Sequence, residues 1–453
     1  MILQSKFIDR EREMAFLEGA YRSDKAELAI IYGRRRIGKT YLLRHFIEKH
    51  GGLYLLAEES KTILEDFSYR ASDYFADRHI RESPFSNWKA FFLYLSEKAE
   101  KKRTVVILDE VQYIAKADRE FLSVLQKYWD MYLRDTKIML ILCGSLVSFM
   151  EGILSYSSPI YGRRTGAWEV TPLPFRELCS FHDMEPETCV RVYSVFGGIP
   201  QYWSDYNPEM DFWDNMRALL LSKGAKYYDE PKYLLKEELR EVSRYFSILR
   251  AIAQGYRTFG KIADKARIGT NSLGKYLDTL ESMDYIGLET PVTGGRRGGY
   301  RIRDNLFNFW FRYIFPRKEE LEMGIDIVDE IKEDFNAYVG QAFEDIATEF
   351  LKNLNSRGSM PAKYEKIGRW WSKGEEIDIV GTGKHLLLCE VKWRDLEEKD
   401  VRALLNELDL KKEKSGLSGE TLNYCIIARK IKKKETLRRE GILLYDLEEI
   451  VAG

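Results

Sequence analysis

Three groups of residues have types and spacings that could do chemistry. The first is Gly33-Arg34-Arg35-Arg36-Ile37-Gly38-Lys39-Thr40, followed by Tyr41. Glycines at both ends let backbone N–H groups curl around phosphate oxygens, and a helix N-terminus adds favourable partial charge. Lys39 would neutralise β- and γ-phosphates, and the Thr40 hydroxyl would hold Mg²⁺. The second is Asp109-Glu110. Asp109 would hold the Mg²⁺ shell and Glu110 would polarise an attacking water. The third is Asp378, Glu390 and Lys392, with Glu344 upstream. Carboxylates and a lysine on one face suit Mg²⁺ and an activated water at a phosphodiester.

These groups need elements to position them. Glu27–Tyr32 (ELAIIY) is an apolar run of strand length directly before Gly33, and Leu42, Leu43, Phe46 and Ile47 follow at helical spacing. That strand–loop–helix context is the one a P-loop requires. Thr104–Leu108 (TVVIL) predicts a buried parallel strand ending at Asp109, an hhhhDE Walker B pattern. A further strand, Lys137–Leu142, ends at Cys143-Gly144-Ser145. Ser145 is either a γ-phosphate sensor or the N-cap of a helix beginning near Leu146. Tyr161-Gly162-Arg163-Arg164-Thr165-Gly166 sets two arginines between glycines, as an arginine finger or an ordinary surface loop would.

The string FIDRERE…LAIIYGRRRIGKTYLL…VVILDEVQYI…LILCGSLVSFM…YGRRTG…PLPFREL…FGGIPQYW resembles the archaeal-type P-loop ATPase family, related to AAA+ and STAND NTPases and also found in bacteria. The resemblance covers roughly residues 3–235. It implies an ATPase core and a small helical lid containing Gly197-Gly198-Ile199-Pro200, with Phe7–Glu11 near the adenine pocket. Arg10 and Glu11 could equally form helix-start ion pairs.

Residues 236–312 carry 14 Lys/Arg against 9 Asp/Glu. Glu241–Ala253, Thr258–Lys265 and Asn271–Met283 read as helices, the last two at helix–turn–helix spacing. Two short strands, Tyr285–Leu288 and Tyr300–Ile302, flank a glycine-rich basic tip at 293–299. This order resembles winged-helix domains. Lys275 would reach a base edge or phosphate, and Arg296 and Arg297 the backbone or minor groove. The alternative is a winged helix used for packing or protein contact; Asp278 and Glu281 oppose phosphate.

After Phe315-Pro316 the charged stretch RKEELEMG reads as the start of a linker, and Ala337–Leu351 as a helix containing Glu344. Two strands then alternate acid and apolar residues, placing Asp378, Glu390 and Lys392 on one sheet face. D-x₁₁-E-V-K with an upstream helical Glu resembles the PD-(D/E)XK nuclease superfamily, with Ile377 in place of the proline before the aspartate. Residues 313–453 also resemble an uncharacterised C-terminal domain often fused to this ATPase family. The carboxylates on this face would hold Mg²⁺ through Asp378 and Glu390, with Glu344 as the further candidate ligand; the alternative is a solvated hairpin face with Glu–Lys pairs.

The expected fold class is α/β: a P-loop NTPase (AAA+-like) parallel sheet over 1–170 and a helical lid over 171–235. A winged helix-turn-helix over 236–312 and a C-terminal α/β restriction-endonuclease-like domain over 313–453 complete it. The chain's 453 residues, 45% hydrophobic and 32% charged, suit several packed domains and exclude global disorder. A net charge of −1 excludes a wholly basic coat for nucleic acid. Five cysteines with no CxxC pair argue against a disulfide framework or a zinc site and fit a reducing cytoplasm. No segment nears the roughly 18–20 apolar residues of a membrane span, so no membrane partner is expected. Five histidines show no metal spacing, and no Ser/His/Asp or Cys/His triad can be assembled. ATP with Mg²⁺ is the expected cofactor. DNA and a nucleotide-dependent homo-oligomer are the expected partners.

Overall fold

The computed structural model describes residues 10–180, 184–295 and 298–452. The chain divides into two compact units. One holds the described residues up to Leu173 together with Ile199–Tyr202; the other holds Pro174–Gly198 and the described residues from Trp203 onward.

In the first unit, helix α1 (Glu11–Arg22) leads into β1 (Glu27–Tyr32), and α2 (Lys39–His50) follows the glycine loop. Strands β2 (Leu53–Leu56), β3 (Thr104–Asp109), β4 (Ile138–Gly144) and β5 (Gly166–Glu169) complete a sheet of order β2-β3-β4-β1-β5. Every neighbouring pair is parallel. A parallel sheet is covered on both faces, which is why its strands read as unbroken apolar runs. All residues of β3 and β4 are buried, and Leu28, Ile30 and Ile31 of β1 have no exposure. The strand expected to stop at Leu142 continues through Cys143 and Gly144. Its register sets Gly144 beside Tyr32, while Leu142 faces Leu108 across the β3 pairing. The loop after β1, the acids closing β3 and the serine after β4 therefore emerge at one sheet edge, where ligands of open α/β sheets bind.

The second unit contains three helices, α3 (Val242–Ala253), α4 (Phe259–Ala266) and α5 (Thr270–Ser282), then an antiparallel hairpin of β6 (Ile286–Glu289) and β7 (Gly299–Ile302). Leu273, Tyr276, Leu277 and Leu280 form the buried stripe of α5, with Lys275 and Asp278 both exposed. Arg296 and Arg297 lie outside the described residues. The aromatic run 307–314 is core: Phe307, Phe309, Trp310, Phe311 and Ile314 have no exposure.

The stretch read as a charged linker is partly helical, at Lys318–Glu322, because Leu321 is buried. The helix expected over 337–351 is the middle of a much longer one, α6 (Val328–Ser356). Its apolar stripe, Val328, Ile331, Phe335 and Val339, begins in the part the charges disguise. A second sheet follows, formed by β8 (Lys366–Ser372), β9 (Glu375–Thr382), β10 (Leu386–Leu396), β11 (Leu422–Ile431) and β12 (Leu443–Asp446), in the order β12-β11-β10-β9-β8. The β8–β9–β10 pairs are antiparallel and the β10–β11–β12 pairs parallel. Helix α7 (Glu398–Ser415) makes the β10-to-β11 crossover, opened by a reciprocal Glu397/Asp400 capping box and closed by left-handed Gly416.

Candidate functional site

The loop between β1 and α2 has the backbone its sequence asks for. Gly33 passes so close to the β5 exit that a Cβ would stand 2.3 Å from the Val170 carbonyl oxygen, so no larger residue fits. Gly38 caps α2 at φ 96°, in the left-handed region that glycine enters freely. The first N–H groups of an α-helix have no partner inside the helix, and α2 begins at Lys39, directly after the loop. Lys39 is 5% exposed, and its ammonium donates to the carbonyls of Gly33 and Arg34, both at 2.8 Å. Burial pushes the Lys39 pKa down, against the nearby Cys143, Glu110 and Asp109, which favour its charge.

Buried Arg10 braces the loop, donating to the Ile37 carbonyl at 2.9 Å and the Thr171 carbonyl at 2.9 Å. Its ion-pair partner is Glu13, not Glu11, because only the i+3 carboxylate turns back toward it. Phe7 to Asp9 lie outside the described residues. Arg35 donates to the Tyr113 hydroxyl at 3.1 Å, and the Arg36 guanidinium lies 5.8 Å over the Tyr202 ring. Tyr41 is exposed on the first turn of α2.

Two carboxylates converge on this loop. The Thr40 hydroxyl donates to Asp109 Oδ2 at 3.1 Å, and the Tyr54 hydroxyl donates to the same oxygen. Glu110 takes the left-handed conformation at φ 56°, turning its side chain off the strand. Its Oε2 accepts from the Ser145 hydroxyl at 2.7 Å and from the Gln112 amide. Ser145 is therefore engaged with the glutamate; the N-cap position of the next helix, Val147–Leu154, belongs to Leu146. Hydroxyl and carboxylate oxygens are the donors Mg²⁺ prefers, and Thr40 with Asp109 supplies one of each beside the phosphate loop.

The two arginines of the 161–166 loop are spent locally. Arg163 forms a forked pair with Asp130, at 2.9 Å from Nη2 and 3.2 Å from Nε. Arg164 donates to the Leu154 carbonyl at 2.7 Å and stacks 5.0 Å over Tyr161. Neither contact reaches the glycine loop.

With this geometry in place, likeness to known proteins is decisive. Residues 7–205 match the family model of an ATPase domain predominantly from Archaea. Over 451 residues the chain is 37% identical to the uncharacterized protein MJECL04 of Methanocaldococcus jannaschii, covering 98% of this chain and 99% of that one. The chain belongs to the archaeal-type ATPase family. Residues 310–404 match a second model, described as archaeal and bacterial proteins of unknown function. A 42-residue stretch, 9% of this ATPase, is 50% identical to the uncharacterized ATP-binding protein MJ0423 of the same organism and spans 71% of it. Among solved structures, the Walker-type ATPase PABY2304 of Pyrococcus abyssi superposes with a TM-score of 0.52 at 23% identity. That superposition covers 68% of this chain and 96% of PABY2304, and it shows a shared fold.

The ATPase's second unit carries the other group. Asp378 on β9 and Glu390 and Lys392 on β10 do come together, as the alternation predicts. The Lys392 ammonium lies 2.7 Å from Glu390 Oε1 and 3.5 Å from Asp378 Oδ2, and the Val391 N–H donates to Asp378 at 2.8 Å. Burial, then the Glu390 charge, raises the Asp378 pKa. Glu344 does not complete a metal set. It pairs with Arg369 of β8 at the wall of a polar cavity of about 380 Å³, which Arg257, Arg301, Arg312 and Asp345 also line. Among the described residues no three His, Cys, Asp or Glu side chains are arranged to hold a metal ion. The expected Glu344–Asp378–Glu390 set is corrected accordingly: a guanidinium on α6's neighbour strand captures the helical glutamate.

Reading the sequence missed four participants. Tyr54 and Gln112 support the Walker-type acids, Arg369 takes Glu344, and Lys411 of α7 donates to both Glu390 oxygens at 3.1 and 3.3 Å. Lys411 is one of several lysines on α7, and nothing in their spacing marks the one that faces the sheet. Gln112, two residues after Glu110, was the easiest to find, since a buried amide needs a partner. No described helix is long and apolar enough to cross a membrane.

Proposed function

We propose that this protein is a Mg²⁺-dependent ATPase whose nucleotide state controls nucleic-acid-facing modules in its C-terminal half. The observation that carries the reading is the meeting of Lys39, Thr40 and Asp109 at one sheet edge, beside a loop in which Gly33 leaves no room for a side chain and Gly38 takes a left-handed φ. Loop N–H groups and Lys39 would bind the triphosphate tail, and Thr40 with Asp109 would hold Mg²⁺. The ion supplies charge neutralisation across the phosphates when bound. Glu110 would orient and deprotonate the attacking water, and Ser145 with Gln112 would set its carboxylate's direction. Arg163 serves Asp130 within one chain; a role as a finger toward a second copy would require breaking that pair, and self-association on ATP is the corresponding proposal.

The helix–turn–helix with its hairpin supports a winged-helix reading, with exposed Lys275 toward DNA. The convergence of Asp378, Glu390 and Lys392 supports a second reading, a site that engages phosphodiesters. ATP turnover of the full chain, alone and with duplex, single-stranded and RNA polymers, tests the scheme. Turnover that rises with a polymer is expected. Glu110→Gln should retain nucleotide while losing on the order of 10²–10⁴ in hydrolysis rate. Full activity in that variant would contradict Glu110 as the base.

A further inference from the structure

Four arginines converge on the polar cavity beside α6. Its volume of about 380 Å³ lies within the about 300–1,000 Å³ of small-molecule sites. Arg257, Arg301 of β7, Arg312 and Arg369 of β8 line it, together with Glu344 and Asp345 of α6. Three of the guanidinium groups are well tied to carboxylates. Arg301 donates from Nε to Glu289 at 2.9 Å and from Nη1 to Asp345 at 2.8 Å, while Arg257 shares Glu289 and Arg312 holds Asp334. Arg369 differs. Among the described residues it makes one ion pair, with Glu344, although its side chain is only 17% exposed. Burial pushes its pKa down; Glu289 opposes the shift and the neighbouring Arg301 charge adds to it. A guanidinium fork has five N–H donors, and donors left without acceptors away from water are costly. The remaining N–H groups of Arg369 therefore call for an acceptor at the cavity.

We propose that this cavity binds a nucleotide through its 5′-phosphate monoester, with the phosphate on Arg369 and the base edge on amide and carboxylate groups of the same wall. Glu376 of β9 also lines the cavity, so with Glu289 and Asp334 four guanidinium groups meet five carboxylates. A bare anion finds no excess of positive charge there. The ligand that fits such a wall has an anionic end and a neutral end carrying both donors and acceptors. A phosphate monoester presents paired oxygens to the planar fork of Arg369. Burial raises the Asp345 pKa against the pull of Arg301, which lessens the charge opposing a phosphate. Asn308 and Gln341 offer amides that both donate and accept, and exposed Glu376 accepts from base N–H groups. The cavity is also roomier than inorganic phosphate needs. A free nucleotide and the 5′ end of a phosphorylated strand present the same group. The site shares no residue with the glycine loop.

The test titrates AMP, GMP, CMP and UMP separately into the full chain, without Mg²⁺ or ATP, by isothermal titration calorimetry. Inorganic phosphate, and homotetranucleotides of the same bases with and without a 5′-phosphate, form the other arms. At least one monophosphate should bind wild type more tightly than about 1 mM, and about tenfold or more tightly than inorganic phosphate. Arg369→Met should weaken that binding about tenfold or more, the scale of losing a charge-assisted hydrogen bond. Because Arg369→Met strands Glu344, Gln341→Trp is compared with it; the indole adds bulk at the cavity and breaks no ion pair, and the same loss is expected. A tetranucleotide that binds more tightly than any monophosphate, and loses this on removal of its 5′-phosphate and in both variants, assigns the site to a strand end. Wild-type affinity in either folded variant would overturn the proposal, since the ligand would then sit elsewhere, the glycine loop included. Binding no tighter than that of inorganic phosphate, or none below about 1 mM with any probe, would overturn it as well.

Discussion

Each unit holds a lysine close to carboxylates of its sheet, buried in the first and partly exposed in the second, and they neutralise it in opposite ways. Lys39 in the first rests on two backbone carbonyls, while the nearest acids, Asp109 and Glu110, are engaged by Thr40, Tyr54, Ser145 and Gln112. Its direct hydrogen bonds go to backbone dipoles, and burial pulls its pKa down against the nearby Cys143, Glu110 and Asp109. Lys392 and Lys411 in the second are clamped onto carboxylates. One site is arranged to receive an anion, and the other has satisfied itself. A motif match alone would rank both as metal–phosphate sites; the partners of the lysines separate them.

The contrast is broken most severely if Lys39 proves dispensable. Lys39→Ala should weaken nucleotide binding by about a hundredfold or more, the scale of losing a desolvated charge partner. Titration with a fluorescent ATP analogue measures it. The melting temperature of the unliganded first unit should change little, because no carboxylate is orphaned.

Lys411→Met should show the reverse pattern. It strands a buried carboxylate on a single lysine, which is expected to cost about 2 kcal/mol after discounting for partial exposure. Thermal unfolding of the second unit should fall by about 5 °C, with nucleotide affinity unchanged. A loss of nucleotide binding in this variant would erase the distinction between the sites.

The smallest effect sharpens the comparison through pH. Folding raises the Asp378 pKa, so the folded second unit holds that proton more tightly than the unfolded chain does. The contribution is full below the ordinary carboxylate value and is lost as pH rises through the folded one. Ionised Asp378 therefore costs stability at neutral pH. Asp378→Asn should raise the melting temperature at pH 7 by about 2–4 °C and flatten its dependence on pH between 4 and 7. A lower melting temperature at pH 7 would mean the carboxylate is a net stabiliser through Lys392.

Much of the first site was legible because its requirements are local. A phosphate loop needs its glycines, lysine and threonine in one octapeptide, and buried parallel strands announce themselves as apolar runs. Asp378, Glu390 and Lys392 were legible for a similar reason, since strand alternation fixes which residues share a face. What failed depended on partners distant in sequence. Glu344 has the right spacing for a metal ligand, yet Arg369, 25 positions later, meets it first. Lys411 follows Glu390 by 21 residues and reaches it only because the crossover helix folds back over the sheet. Arg163 looked free to reach a phosphate until the π-helical turn Trp129–Leu133 presented Asp130. The extent of α6 was hidden by charges that share its turns with a buried stripe.

The most direct measurement is a crystal structure of the protein with a non-hydrolysable ATP analogue and Mg²⁺. The account predicts β- and γ-phosphates inside the turn formed by residues 33–40, with the Lys39 ammonium moved from the Gly33 and Arg34 carbonyls onto their oxygens. A nucleotide bound elsewhere at saturation, with Lys39 still on those carbonyls, would contradict it.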